Sequence, residues 1–278
     1  MSAAFSLVLD AQCALGESPV WWAAARKLVF VDITGRRLHR FDPVTGQHEV
    51  DPVAEDIGCV APAKGGGYVA GLRSGMWLLD AAGVKVRELA PNLENNATHR
   101  FNDGRVDPRG RYFSGTLDES KAAGDAGLYR FDKSGVAKLA DGIMTSNGLA
   151  FSPDGRTLYF SDTPRFVIYR FDYDPDAGAA TNRRVFARLE PTATDRGRPD
   201  GAAVDVEADA PAEAGPDRVD RPLQGEADVL RATHPERHVV RVSPGAIRVA
   251  HHPDEAHRPR RARGDAAGDP GDHRPMDR

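Results

Sequence analysis

The chain has 278 residues, 40% of them hydrophobic and 28% charged, with a formal net charge of -4. That length suits one large all-β domain or two small ones, so mild a charge leaves no footprint for nucleic acid or an anionic membrane, and no apolar run nears the roughly 18 residues of a membrane helix. The first residues, MSAAFSLVLDAQCALGESP, lack a basic stretch followed by a sustained apolar one, and two cysteines, Cys13 and Cys59, make no disulfide framework; no signal peptide and a reduced, cytoplasmic setting are expected.

In chain order, residues 27–33 (KLVFVDI) form a β-rich run, and Thr34-Gly35 turns it into residues 37–41 (RLHRF). The pattern of short strand and turn returns at 67–72 (GYVAGL), 75–79 (GMWLL), 111–115 (RYFSG), 127–131 (GLYRF), 157–161 (TLYFS) and 167–171 (VIYRF). Strands this short and regular predict a sandwich, barrel or propeller, and the lack of an amphipathic helical period argues against βαβ architecture. Three stretches read as copies of one unit: RLHRFDP from Arg37, LYRFDK from Leu128 and IYRFDYD from Ile168. Matching turns precede two of them, DPRG from Asp107 and SPDG from Ser152. A period of about 40–50 residues is that of four-stranded propeller blades, and the chain has room for about six. Phe41, Phe131 and Phe171 fall at equivalent places, where they are expected to pack between blades.

The pattern stops near Glu207. From Ala208 onward there is no Phe, Trp or Tyr, and six of the nine histidines lie there. Residues 1–207 therefore read as propeller blades, and 208–278 as an atypical tail with little to bury. Either a naturally disordered tail or a reading-frame change in GC-rich coding DNA accounts for the shift, the second being preferred for its abruptness. A propeller left with such a tail would be incomplete or poorly closed, with open sheet edges, and an inactive frame-shifted copy is one reading of the chain.

Four segments place polar residues just before short apolar strands: Gly16-Glu17-Ser18-Pro19, Arg100-Phe101-Asn102-Asp103-Gly104, Ser146-Asn147-Gly148 and Pro199-Asp200-Gly201. In a propeller the innermost strands line a central channel, so residues at their entrances converge. Glu17, Asn147 and Asp200 are oxygen donors that together would hold one hard divalent cation, Ca²⁺, Mg²⁺ or Mn²⁺, with Zn²⁺ also accommodated. Each alone is an ordinary turn residue; it is their recurrence at blade starts that points to a metal. Arg100 and Asn102, two apart on an extended strand, share a face and suit a polyhydroxylated substrate, while Phe101 points into the blade core.

The segments LGESPVWW, RFNDGRVDPRGRYFSGTLD, SNGLAFSPDGRTLYFSDT and RPDGAAVD, in this order over about residues 5–206, resemble the SMP-30/gluconolactonase/regucalcin family. The resemblance implies a six-bladed β-propeller with a divalent metal on Glu17, Asn147 and Asp200, and substrate contacts at Arg100 and Asn102. A further substrate-binding Glu of the family corresponds to Glu119, with Asp118 as the alternative, or to a position held here by Ser120. It implies a hydrolase opening a sugar lactone to the aldonic acid, the metal polarising the carbonyl and Asp200 assisting proton transfer as the catalytic residue. The alternative from another class is a calcium-binding regulatory protein of the regucalcin type. The expected partner is a small sugar lactone, with no nucleic acid and no membrane; oligomeric state is not legible.

Overall fold

The computed structural model describes residues 5–121, 124–190, 198–204, 229–231, 238–243 and 246–251. They are almost wholly β. Four antiparallel sheets of four strands follow one another, each built from consecutive strands in simple up-and-down order. The first holds β2 (Gly16–Trp22), β3 (Lys27–Asp32), β4 (Arg37–Phe41) and β5 (His48–Pro52). The second holds β6 (Ile57–Pro62), β7 (Tyr68–Leu72), β8 (Gly75–Leu79) and β9 (Lys85–Pro91). The third holds β10 (His99–Val106), β11 (Tyr112–Asp118), β12 (Ala126–Asp132) and β13 (Gly135–Ile143), and the fourth β14 (Ser146–Phe151), β15 (Thr157–Asp162), β16 (Val167–Asp174) and β17 (Ala179–Arg188). The one helical piece among the described residues is a 3-10 turn, Thr163–Arg165.

A fifth sheet joins the two ends of the described chain. There β1 (Phe5–Asp10) pairs with β20 (Ala246–His251), followed by β19 (His238–Ser243) and β18 (Val229–Arg231). These three late strands are the part of 208–278 that lies within the described residues; the boundary at 207/208 itself lies outside them.

The hydrophobic core lies between sheets, not within one. Val29, Val31 and Leu38 of the first sheet meet Ile57, Val60, Tyr68 and Leu72 of the second. Cys59 and Met76 meet Phe101, Tyr112, Tyr129 and Phe131 of the third. Phe113 and Leu128 meet Leu149, Leu158, Phe160 and Phe171 of the fourth. This explains the recurring aromatic positions: a sheet buried on both faces needs large side chains on its central strands. Phe131 and Phe171 sit in these layers as the repeats predict, and Phe41 packs with Phe30, Leu28 and Cys13. Cys13 and Cys59 are both buried thiols with no disulfide.

The first strand of each sheet is innermost: β6 lies against β2 and β10, and β10 against β14. Every one of these strands breaks its pairing register near its start, after Glu17, Ile57, Phe101 and Asn147 respectively. A bulge of this kind re-aims side chains and lets neighbouring residues face the same way.

Candidate metal and substrate site

The bulges converge on one open recess, lined by Glu17, Ser18, Ile33, Gly58, Asn102, Asp103 and Asn147. Three residues singled out from sequence, Glu17, Asn102 and Asn147, are thus brought together from three sheets. Two polar lining residues carried no assignment, Asp103 and Ser18, besides Ile33 and Gly58. Strict alternation would have sent Asp103 to the opposite face from Asn102, and the bulge between Phe101 and Gly104 turns both to the recess. Ser18 adopts φ 52, the left-handed region, and accepts a hydrogen bond from Val60 N at 3.1 Å, which fastens β2 to β6.

Asn147 is held at both ends of its amide. Its Nδ2 donates to Thr163 Oγ1 at 2.8 Å, so Oδ1 is the end turned to the recess, where Asn102 Nδ2 donates to it at 2.8 Å. Asn102 Nδ2 also donates to Ser146 O at 2.8 Å. A carbonyl oxygen has two lone pairs, so one remains for a cation. Asp103 is a strut, its Oδ2 accepting from Leu149 N at 2.9 Å and so tying β10 to β14.

Asp200 lies on a strandless segment that two side chains anchor beside the recess. Thr163 Oγ1 donates to Pro199 O at 2.7 Å, and Arg105 donates from Nη2 to Ala202 O at 2.8 Å while its Nε holds Leu149 O at 3.0 Å. The backbone of Asp200 passes so close to Gly148 that a Cβ there would meet Asp200 O at 2.7 Å, and Gly148 also takes φ 60. Glycine is required on both counts. Asp200 is half-buried beside the recess, and its side chain is not among those lining it.

Arg100 is buried at 8% exposure and donates from Nη1 to Asn102 Oδ1 at 2.8 Å and to Phe101 O at 3.0 Å. The two residues do share a face, and Phe101 is buried in the layer between sheets. Burial pulls the Arg100 guanidinium below its ordinary range, partly offset by Glu119 and Asp56. Glu119 lies 3.9 Å from Arg100 Nε, beyond hydrogen-bond reach. Its nearer partner, Arg73, was not anticipated: Nη2 donates to Oε1 at 2.7 Å and Nη1 to Oε2 at 3.0 Å. That fork holds the Glu119 carboxyl below its usual range. Asp118 is buried and accepts from Ser120 N at 2.9 Å and Oγ at 2.6 Å, the arrangement of a turn.

A second cluster lies on the first sheet, apart from the recess. Cys13, Asp32 and His39 are buried within 4.8 Å of one another. Asp32 accepts from the backbone N–H groups of Ala14, Leu15 and Gly35, and His39 Nδ1 lies 2.9 Å from His48 Nε2.

Meandering antiparallel sheets with an oxygen-lined recess at their inner strands define an all-β protein built to hold a small polar ligand or cation. The chain matches the SMP-30/Gluconolactonase/LRE-like region over residues 15–210, and it belongs to that family. It is 42% identical over 208 residues to the 6-deoxy-6-sulfogluconolactonase of Pseudomonas putida, covering 74% of this chain and 70% of the relative. It is 35% identical over 206 residues to human regucalcin, with 72% and 68% covered. Among solved structures it resembles a gluconolactonase from Xanthomonas campestris, at 27% identity and TM-score 0.61, with 73% of this chain and 71% of that one covered. The regucalcin of Agrobacterium tumefaciens superposes with TM-score 0.68 at 24% identity over 87% of this chain and 71% of that one, a likeness of fold. Among the described residues no helix is long and apolar enough to cross a membrane.

Proposed function

We propose that the protein is a metal-dependent hydrolase that opens a sugar lactone to its aldonic acid, on a six-bladed propeller of which the four consecutive sheets are blades. The carrying observation is the convergence of Glu17, Asn102 and Asn147 on one recess with the Asn147 carbonyl oxygen oriented into it. An all-oxygen donor set of this kind fits a hard divalent cation. Glu17, Asn147 and Asp200 are the residues that would hold it, with Asp200 on the segment that Thr163 and Arg105 anchor beside the recess. When bound, the cation supplies Lewis-acid polarisation of the lactone carbonyl. Arg100 and Asn102 orient the sugar hydroxyls, and Asp200 moves the proton as water adds. The two named lactonases among the relatives support this reading.

The regucalcin-named relatives support the second reading, calcium binding without turnover. It uses the same oxygen-lined recess but gives Arg100 no task, and the buried Arg100–Asn102 pair favours the enzyme. The experiment is a pH-stat assay against several sugar lactones with Ca²⁺, Mn²⁺, Mg²⁺ or Zn²⁺ added, alongside thermal melts in the same ions. We expect acid release that requires a metal, with a melt raised by that metal. Asp200→Ala and Glu17→Gln should lose activity and the metal-induced shift together; full turnover in Asp200→Ala would sink the assignment.

A further inference from the structure

We infer that the rim above the recess binds the acidic group of a negatively charged lactone, a sulfonate, phosphate or carboxylate at the end of the sugar away from the carbonyl, with Arg73 and Arg100 as its contacts. The inference rests on the lactonase reading and narrows its substrate class.

Three guanidinium groups, Arg36, Arg73 and Arg100, share two carboxylates, Asp56 and Glu119. Arg36 donates from Nε to Asp56 Oδ1 at 2.9 Å, and Arg73 donates from Nε and Nη2 to Asp56 Oδ2 at 3.1 and 2.8 Å. Asp56 is therefore fully engaged by two arginines. Glu119 is engaged by the Arg73 fork, so that among the described residues Arg100 faces Glu119 only at 3.9 Å, beyond hydrogen-bond reach. Both hydrogen bonds of Arg100 leave from Nη1 and end on neutral oxygens. The next carboxylate, Glu17, belongs to the cation recess. A buried guanidinium whose hydrogen bonds end on neutral oxygens and whose nearest carboxylate stands 3.9 Å away is only weakly compensated, and a ligand anion in direct contact would compensate it further.

The geometry also shows how an anion enters. Arg100 is the physical link, bonded to Asn102 in the recess and facing Glu119 at the rim. A sugar held at Asn102 thus extends toward Arg73. The Glu119 side chain is 39% exposed, so it can swing to water and yield the Arg73 fork to an incoming oxyanion. The exchange swaps one charge-assisted pair for another at Arg73, while Arg100 gains a directly hydrogen-bonded anion in place of a carboxylate 3.9 Å away. A neutral lactone gains nothing here.

The test compares kcat/KM for gluconolactone with that for its 6-phosphate and 6-sulfonate analogues, using the metal-loaded full chain at two ionic strengths. We expect a preference of about tenfold or more for the acidic lactones, shrinking with salt, and competitive inhibition of gluconolactone turnover by inorganic sulfate. Arg73→Met should lower the acidic-to-neutral ratio about tenfold, with Arg73→Lys between it and wild type. Where Arg73→Met does not fold, Glu119→Gln removes the internal competitor and should raise the ratio. Equal kcat/KM for acidic and neutral lactones, or a ratio unmoved by these variants, overturns the inference while leaving lactonase activity standing. If no lactone is hydrolysed, calorimetry with 6-phosphogluconate against gluconate still reads the rim: tighter binding of the phosphate upholds it, and equal binding overturns it.

Discussion

Thr163 is not itself an expected metal ligand, yet it joins two walls of the recess. Its hydroxyl accepts from Asn147 and donates to Pro199 O, so one oxygen orients the amide and positions the residue before Asp200. Thr163→Val keeps the shape and removes the relay. Outer-shell partners of metal ligands are worth about 10–100-fold in affinity, and we expect the metal dissociation constant to rise by about tenfold with the melting profile of the metal-free chain lowered by about 1 kcal/mol. Titration with Mn²⁺ checks this; unchanged affinity would show the relay to be ornamental. A different residue links the stability of the fold to pH. His39 stacks on Phe30 with centroids 4.6 Å apart, and burial lowers its pKa to about 4, helped by His48, Arg37 and Arg40 and opposed by Asp32. The unfolded imidazole titrates near 6.5, so between about 4 and 6.5 the unfolded chain binds more protons than the folded one. Stability is then full above pH 6.5 and falls as pH drops toward 4, by up to about 3 kcal/mol. Urea unfolding between pH 4.5 and 7, above the range where carboxylates dominate, should show this slope in the wild type and a flatter one in His39→Phe. Equal slopes would mean that His39 is not the titrating group.

The innermost strands carry the site, and their close approach depends on a missing side chain. Gly58 of β6 sits where a Cβ would lie 2.1 Å from Phe101 O and 2.9 Å from Asn102 O of β10. The obstacle is backbone, so the strands would have to part. Gly58→Ala should cost about 3 kcal/mol in urea unfolding and reduce metal affinity, since Asn102 moves with its strand. A full-affinity variant would show that the recess tolerates a wider spacing. The same elements show what was legible beforehand. Central strands such as 37–41 and 75–79 could be read to the residue, because they are buried on both sides and bounded by turns. The outermost strands β5, β9, β13 and β17 gave no signal. Their side chains face water along most of their length, as in Ala179–Arg188, where the ladder to β16 defines the strand and not an apolar period. Residues lining the recess were legible where a turn-like motif stood near the start of an innermost strand, as for Glu17, Asn102 and Asn147. Asp103 was hidden by the bulge, and Thr163 and Arg73 because their roles come from contacts across 36 and 46 residues with Pro199 and Glu119.

At the scale of the whole molecule, three apolar layers lie between the four consecutive sheets. Within β1, Leu7 is 56% and Val8 38% exposed although the strand is paired, and Leu9 is the side chain that packs onto the layer of Cys13, Leu28, Phe30 and Phe41. Ending the chain at Val206 removes the partner of β1 but leaves all three layers, together with Glu17, Asn147 and Asp200. The loss should be of the order of one buried leucine, about 1.5–3 kcal/mol, within a total stability of about 5–15 kcal/mol for an ordinary domain. We therefore expect the shortened chain to unfold in one cooperative transition with a lowered urea midpoint and an unchanged m-value per residue. Its melt should rise on adding the effective metal by the same amount as that of the full chain, because the linkage depends on ligands both chains possess. Loss of cooperativity, or of the metal-induced rise, would show instead that the sheet of β1 and β18–β20 holds the recess together, and that the division at 207/208 cuts through a structural unit.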